Sequence, residues 1–146
     1  MVERMARPSP VIDASPVAAL EDILRARAML EHVYLDEKII QYILDLVIAT
    51  RPGCRKELSE RQAGARLDEL DGLISFGASP RASIALALAS RAAALLAGRA
   101  YVLPQDVKAI APDVLRHRIV LSYEAEAENI NADAVITRLL AELRTP

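Results

Sequence analysis

A chain of 146 residues, 53% hydrophobic and 26% charged, is long enough for one domain with its own core. Aromatic residues supply only 3%, so Ala, Leu, Ile and Val must fill that core, a composition that favours closely packed helices over a β-sandwich. A net charge of −2 argues against a protein that coats nucleic acid, and the single cysteine, Cys54, excludes an internal disulfide framework and a multi-cysteine zinc site.

Residues 1–14 read as a flexible leader, with Pro8 and Pro10 and little periodicity. Charges and prolines stand where a secretion signal would carry its apolar stretch. No run approaches the roughly 20 apolar residues that cross a bilayer, so a cytoplasmic protein that does not enter a membrane is expected. Ser15-Pro16 then supplies a helix start, and Leu20, Ile23, Leu24, Ala28 and Leu30 recur at helical spacing as far as about His32. Asp36 caps a second helix with a broad apolar face of Ile39, Ile40, Ile43, Leu44, Leu46 and Val47, stopped near Thr50 by Arg51-Pro52-Gly53. Residues 52–75 are strongly polar, yet Leu58, Leu67, Leu70, Leu73 and Ile74 recur. A solvated loop or short helix with a partly anchored end is expected there.

Ser79 as N-cap and Pro80 in the first turn open a helix over Ala82 to Ala97 that is apolar nearly all round, as a central buried element would be. Gly98 closes it in the left-handed cap position. Tyr101-Val102-Leu103 reads as an extended link. Pro104 opens a helix through Ile110, Pro112 a separate one to about His117, and Asn131 caps a last helix over Ala132 to Leu143. Every predicted element is helical, and no internal repeat is visible.

Charge is unevenly placed. Between Asp71 and Asp106 lie 34 residues with no acidic side chain but with Arg81, Arg91 and Arg99. Arg81 fits a purely structural account least well, because a cation in the first turn opposes the positive end of the helix dipole. A bound anion would remove that conflict, using the guanidinium and free backbone N–H groups together. The side chain leans past the helix end, while Ile84 and Leu88 on its stripe are expected to be buried. The other reading is a surface arginine beside a loop. Arg91 is expected to pair with a carboxylate of another helix or to reach solvent, and Arg99 to serve the helix C-terminus. Arg116-His117-Arg118 reads as helix-end basic residues. His32 and His117 are far apart with no metal-ligand pattern around them. Cys54 beside Arg51, Arg55 and Lys56 has no paired base and reads as a free thiol. The chain contains no phosphate loop, no Gly-x-Gly-x-x-Gly and no nucleophile elbow.

The segments Gly77-Ala78-Ser79-Pro80-Arg81-Ala82, Gly98-Arg99-Ala100-Tyr101-Val102, Pro104-x-Asp106-Val107-Lys108 and Val114-Leu115-Arg116-His117-Arg118 follow one another in a pattern that resembles the C-terminal lid domain of MoxR-type AAA+ ATPases. Val33-Tyr34, then Ile39-x3-Ile43-x2-Leu46-Val47 and Ala49-Thr50-Arg51, is similar to the lid's first helix, and Leu139 to Pro146 to its ending. The resemblance covers about residues 17–146. It implies an all-α fold, a compact helical bundle over 34–146 preceded by a linker helix over 15–33 from an ATPase core.

The resemblance further implies that Arg81 is the sensor 2 residue, which approaches the terminal phosphate of ATP held with Mg2+ by the core of the same or a neighbouring subunit. The implied partners are that core, the neighbouring subunits of a hexameric ring, and a client protein that the ring remodels or activates. Neither nucleic acid nor a membrane is among them. No catalytic or metal-binding residue is implied within this chain, and alone it is expected neither to hydrolyse ATP nor to hold it.

Three departures matter. Leu103 stands where the family has Thr or Ser and cannot cap, so the helix after it is expected to start weakly. Residues 52–75 exceed the short connection expected. The phosphate loop, magnesium motif and sensor 1 of an ATPase core are absent, so the chain is expected to be a fragment of a longer protein. The rival readings are a stand-alone helical protein-interaction or histone-like module, suggested by Val102-Leu103-Pro104-Gln105-Asp106-Val107, and a small enzyme using Cys54.

Overall fold

Asp36 starts the helix around which the other elements gather: its side chain accepts from the Lys38 N–H at 2.8 Å. In this computed structural model, which describes residues 15–62 and 65–146, the helix runs Glu37–Ala49. The leader expected over 1–14 lies outside the described residues. We number the α-helices in chain order: α1 Leu20–Met29, α2 Glu37–Ala49, α3 Arg81–Leu96, α4 Pro104–Leu115, α5 Tyr123–Ala127 and α6 Ala132–Glu142. Two short strands, β1 Ile74–Phe76 and β2 Val120–Leu121, pair antiparallel, with Ile74 opposite Leu121 and Phe76 opposite Val120. The expected all-α bundle is therefore present. The strands went unread because two or three residues show no period.

The core lies between α2, α3, α4 and α6. Ile39, Ile43, Leu46 and Val47 of α2 meet Leu86 of α3, Val107 and Leu115 of α4, and Ile136 and Leu139 of α6, all buried. Ile40 and Leu44, placed by sequence on the same apolar face, are partly exposed.

Helix boundaries follow the chemistry of their ends. Gly98, at φ +72°, closes α3: its N–H donates to the Leu95 carbonyl and the Arg99 N–H to the Ala94 carbonyl, both at 2.9 Å. Asn131 caps α6 as expected, its side chain accepting from the Ala134 N–H at 2.8 Å. Leu103 indeed supplies no side-chain cap; the Asp106 carboxylate accepts the Leu103 N–H at 2.8 Å, the reciprocal half of a capping box, and the Asp106 N–H turns to the Leu103 carbonyl at 3.0 Å.

Two expected boundaries are corrected. The first helix begins at Leu20 rather than at Ser15-Pro16, because Asp22 turns back to accept the Ala19 N–H at 2.9 Å and fixes the start there. The helices expected after Pro104 and Pro112 are one helix, with Pro112 inside it. Val107, Ala111, Val114 and Leu115 form an unbroken buried row across the proline, and that burial outweighs one lost backbone hydrogen bond.

Residues 52–75 wind around the C-terminal half of α2 as three single 3₁₀ turns, Arg55–Glu57, Glu60–Gln62 and Asp68–Leu70, and then enter β1. Their expected anchor is real, since Leu67, Leu70, Leu73 and Ile74 are buried. A second anchor is polar. Asp45, fully buried, accepts from the Ser59 hydroxyl (2.6 Å), the Ser59 N–H (3.1 Å), Gln41 (3.0 Å) and Gln62 (3.2 Å). Gln62 also donates to the Arg144 carbonyl (3.0 Å) and accepts the Arg144 N–H (2.8 Å), tying the segment to the chain end.

Candidate functional site

The connection into α3 is built on the last turn of α2. Thr50, fully buried, donates its hydroxyl to the Val47 carbonyl at 2.6 Å and accepts the Ala78 N–H at 2.9 Å. Arg51 Nε donates to the Ala78 carbonyl at 2.8 Å. Both backbone polar groups of the buried Ala78 are thus held by consecutive side chains of one helix end. Gly77 lies so close that a Cβ there would stand 2.3 Å from the Thr50 carbonyl oxygen, a clash with backbone that only glycine avoids. Ser79 and Pro80 follow, and α3 begins at Arg81.

Pro80 has helical φ and ψ of −55° and −24°, as predicted for a first-turn proline. Ser79 contributes its carbonyl rather than a side-chain cap, accepting the Ala82 N–H at 2.8 Å, and the Ser83 N–H donates to the Pro80 carbonyl at 3.1 Å. These bonds engage first-turn amides that the sequence reading left free for an anion. The exposed guanidinium of Arg81 remains the candidate ligand-binding group of this segment.

Arg81 is exposed and forms no ion pair among the described residues. The expectation that Ile84 and Leu88 are buried on its stripe is overturned: they are 62% and 53% exposed. At 100° per residue the buried row of α3 is Ala82, Leu86, Ser90 and Ala94, whose mostly small side chains let α4 approach closely, and Arg81, Ile84 and Leu88 lie on the opposite face. The helix is buried on one side only.

Facing that stripe, α1 buries none of its residues and exposes Leu20, Ile23 and Leu24. A cleft of about 570 Å³ separates the two helices, lined by Leu24, Arg27, Ala28, Glu31, Leu88 and Arg91 among others. Arg91 makes no ion pair among the described residues, and its Nε is buried without a hydrogen-bond partner. The expected carboxylate of another helix is absent among the described residues; Arg91 is half-buried and lines the open cleft.

Arg99, Arg116 and Arg118 are each held by groups of this chain. Arg99 holds Asp106 through two bonds of 2.8 and 2.6 Å, and these hold the Asp106 carboxyl below the usual carboxylate range. Arg116 bonds Asp133 at 2.9 Å and Asp113 at 3.1 Å, and Arg118 donates to the Val114 carbonyl at 2.6 Å. Cys54 is a half-buried free thiol leading into the first 3₁₀ turn. No group of three or more metal-ligating side chains occurs among the described residues, His32 and His117 included, and no helix there is long and apolar enough to cross a membrane.

The AAA lid domain family matches residues 71–139, which take in Arg81, α3 and α4. The chain is 37% identical over 133 residues to Chaperone MoxR1 of Mycobacterium tuberculosis, covering 91% of this chain and 33% of that protein. This chain belongs to the MoxR-family AAA+ ATPase lid domains. It is also 39% identical over 110 residues to Protein MoxR of Paracoccus denitrificans, covering 73% of this lid and 30% of that protein. A crystal structure of a candidate ATPase from Cytophaga hutchinsonii superposes with a TM-score of 0.83 at 33% identity, over 99% of this chain and 41% of the other. The lid spans about a third of the length of the curated relatives it matches. Sequence reasoning singled out Arg81 as the candidate residue but missed the exposed Ile84 and Leu88 beside it, because α3 is apolar on nearly every side and its composition gives no sign of which side packs.

Proposed function

We propose that this lid is the sensor 2 domain of a MoxR-type AAA+ ATPase, with Arg81 contacting the terminal phosphate of ATP bound with Mg2+ on the catalytic core of the same or an adjacent subunit. Residues 15–33 act as the linker from that core, and residues 34–146 are the lid proper. The supporting observation is the placement of Arg81. It stands exposed at the head of α3, without a carboxylate partner among the described residues, on the same side of that helix as the exposed Ile84 and Leu88. The exposed Ile84 and Leu88 on the same face fit a surface that closes onto the core.

When bound, the nucleotide supplies a phosphate group of high negative charge. Arg81 then forms charge-assisted hydrogen bonds with it, and loses them after hydrolysis and phosphate release. Closing and opening of the lid would follow nucleotide state, and a hexameric ring would pass that motion to a client protein to remodel or activate it. The relative named as a chaperone fits such a role.

In the parent ATPase, Arg81→Ala is expected to lower ATP turnover roughly ten- to hundredfold, the range of one charged hydrogen bond of about 1.5–3 kcal/mol. The melting temperature of the variant should stay within a degree or two of wild type, because Arg81 is exposed and makes no ion pair among the described residues. Turnover at the wild-type level would overturn the reading.

A further inference from the structure

We propose that Thr50 and Arg51 are positioning residues for Arg81, a role that rests on the sensor reading above and gives it a mechanism. Three observations converge on Ala78 and the glycine before it. The Thr50 hydroxyl links the last turn of α2 to the loop, donating to Val47 and accepting the Ala78 N–H. Arg51 Nε holds the Ala78 carbonyl from the other side. Gly77 lets the loop backbone press against the Thr50 carbonyl with no room for a side chain.

Only Ser79 and Pro80 separate this clamp from Arg81, and both are constrained: Pro80 by its ring, Ser79 by its carbonyl bond to Ala82. Ala78 and Ala82, on either side of Arg81, are fully buried. The Arg81 backbone therefore has little freedom of its own, and its position follows the end of α2. A guanidinium that must meet a phosphate gains from being held in place beforehand, since a misplacement of about 1 Å can cost as much as 100-fold in rate.

The end of α2 is in turn gripped by residues 52–75. Arg55 Nε donates to the Ala49 carbonyl at 3.4 Å, its guanidinium also bonds the Leu67 carbonyl and pairs with Asp71 at 2.6 Å, and Asp45 one turn earlier holds Ser59 and Gln62. The long segment that departs from the family pattern thus braces the platform on which the Arg81 loop sits.

The test is a set of variants in the parent ATPase, with a second readout on this chain. Thr50→Val and Arg51→Ala are expected to lower kcat about tenfold, Thr50→Ser to keep it near wild type, and neither loss to add to that of Arg81→Ala in the double variants. In the isolated lid, Thr50→Val should speed amide exchange at Ala78 about tenfold and leave the amide of Leu86, inside α3, unchanged. Clamp variants with wild-type kcat, or losses that multiply with that of Arg81→Ala, overturn the positioning role while the sensor reading stands. An unchanged turnover in Arg81→Ala alone overturns the sensor reading, and this proposal with it. Ala78 exchange at the wild-type rate in Thr50→Val overturns the clamp whatever turnover does.

Discussion

Tyr42 sits 1% exposed in α2, and its hydroxyl has no hydrogen-bond partner among the described residues. Burial raises the phenol from its ordinary value near 10 to about 12. The folded protein keeps this proton while the unfolded chain loses it. Stability from Tyr42 is therefore complete below pH ~10 and falls as pH rises toward ~12. Tyr42→Phe removes both the orphaned hydroxyl and the titration. Urea denaturation should find the variant at least as stable as wild type at pH 7, with a smaller loss between pH 9 and 11. An equal alkaline loss in both would show that another group titrates. Arg81 was legible at this scale because its type and place conflict, a cation at a helix start. The surroundings of Arg91 and Tyr42 were not, since an unpartnered polar atom depends on neighbours remote in sequence.

Among the elements, α4 starts without a side-chain cap at Leu103, and Asp106 fixes that start by accepting the Leu103 N–H while gripping Arg99 from the end of α3. One carboxylate joins the end of one helix to the start of the next. The Arg99 hydrogen bonds hold its pKa down, so this contribution is present above the ordinary carboxylate value near 4 and is lost as pH falls below it. Asp106→Asn should lower the urea midpoint at pH 7, with the gap to wild type narrowing as pH falls below about 4. A gap of constant size across that range would contradict the ion-pair account. Sequence periodicity located α2, α3 and α6 to within a few residues, because capping residues and breakers are local signals. It split α4 at Pro112 and buried α3 all round, because the continuity of a packed row is decided by what lies opposite.

For the whole molecule, the helical class and the order of the long elements followed from composition and apolar spacing. The path of residues 52–75 did not, because its anchors join positions far apart: Asp45 with Ser59 and Gln62, and Gln62 with Arg144. The candidate site was half legible. Its guanidinium was readable from sequence, whereas the clamp at Ala78 and the open face of Ile84 and Leu88 required the fold. Together these features place Arg81 beside the exposed Ile84 and Leu88 on one face of α3. The most direct test is a structure of the parent ATPase bound to a non-hydrolysable ATP analogue. The account predicts the Arg81 guanidinium within about 3 Å of a terminal-phosphate oxygen, in its own or a neighbouring subunit, with Ile84 and Leu88 covered by the core. An Arg81 side chain turned to solvent in every nucleotide-filled subunit would contradict it.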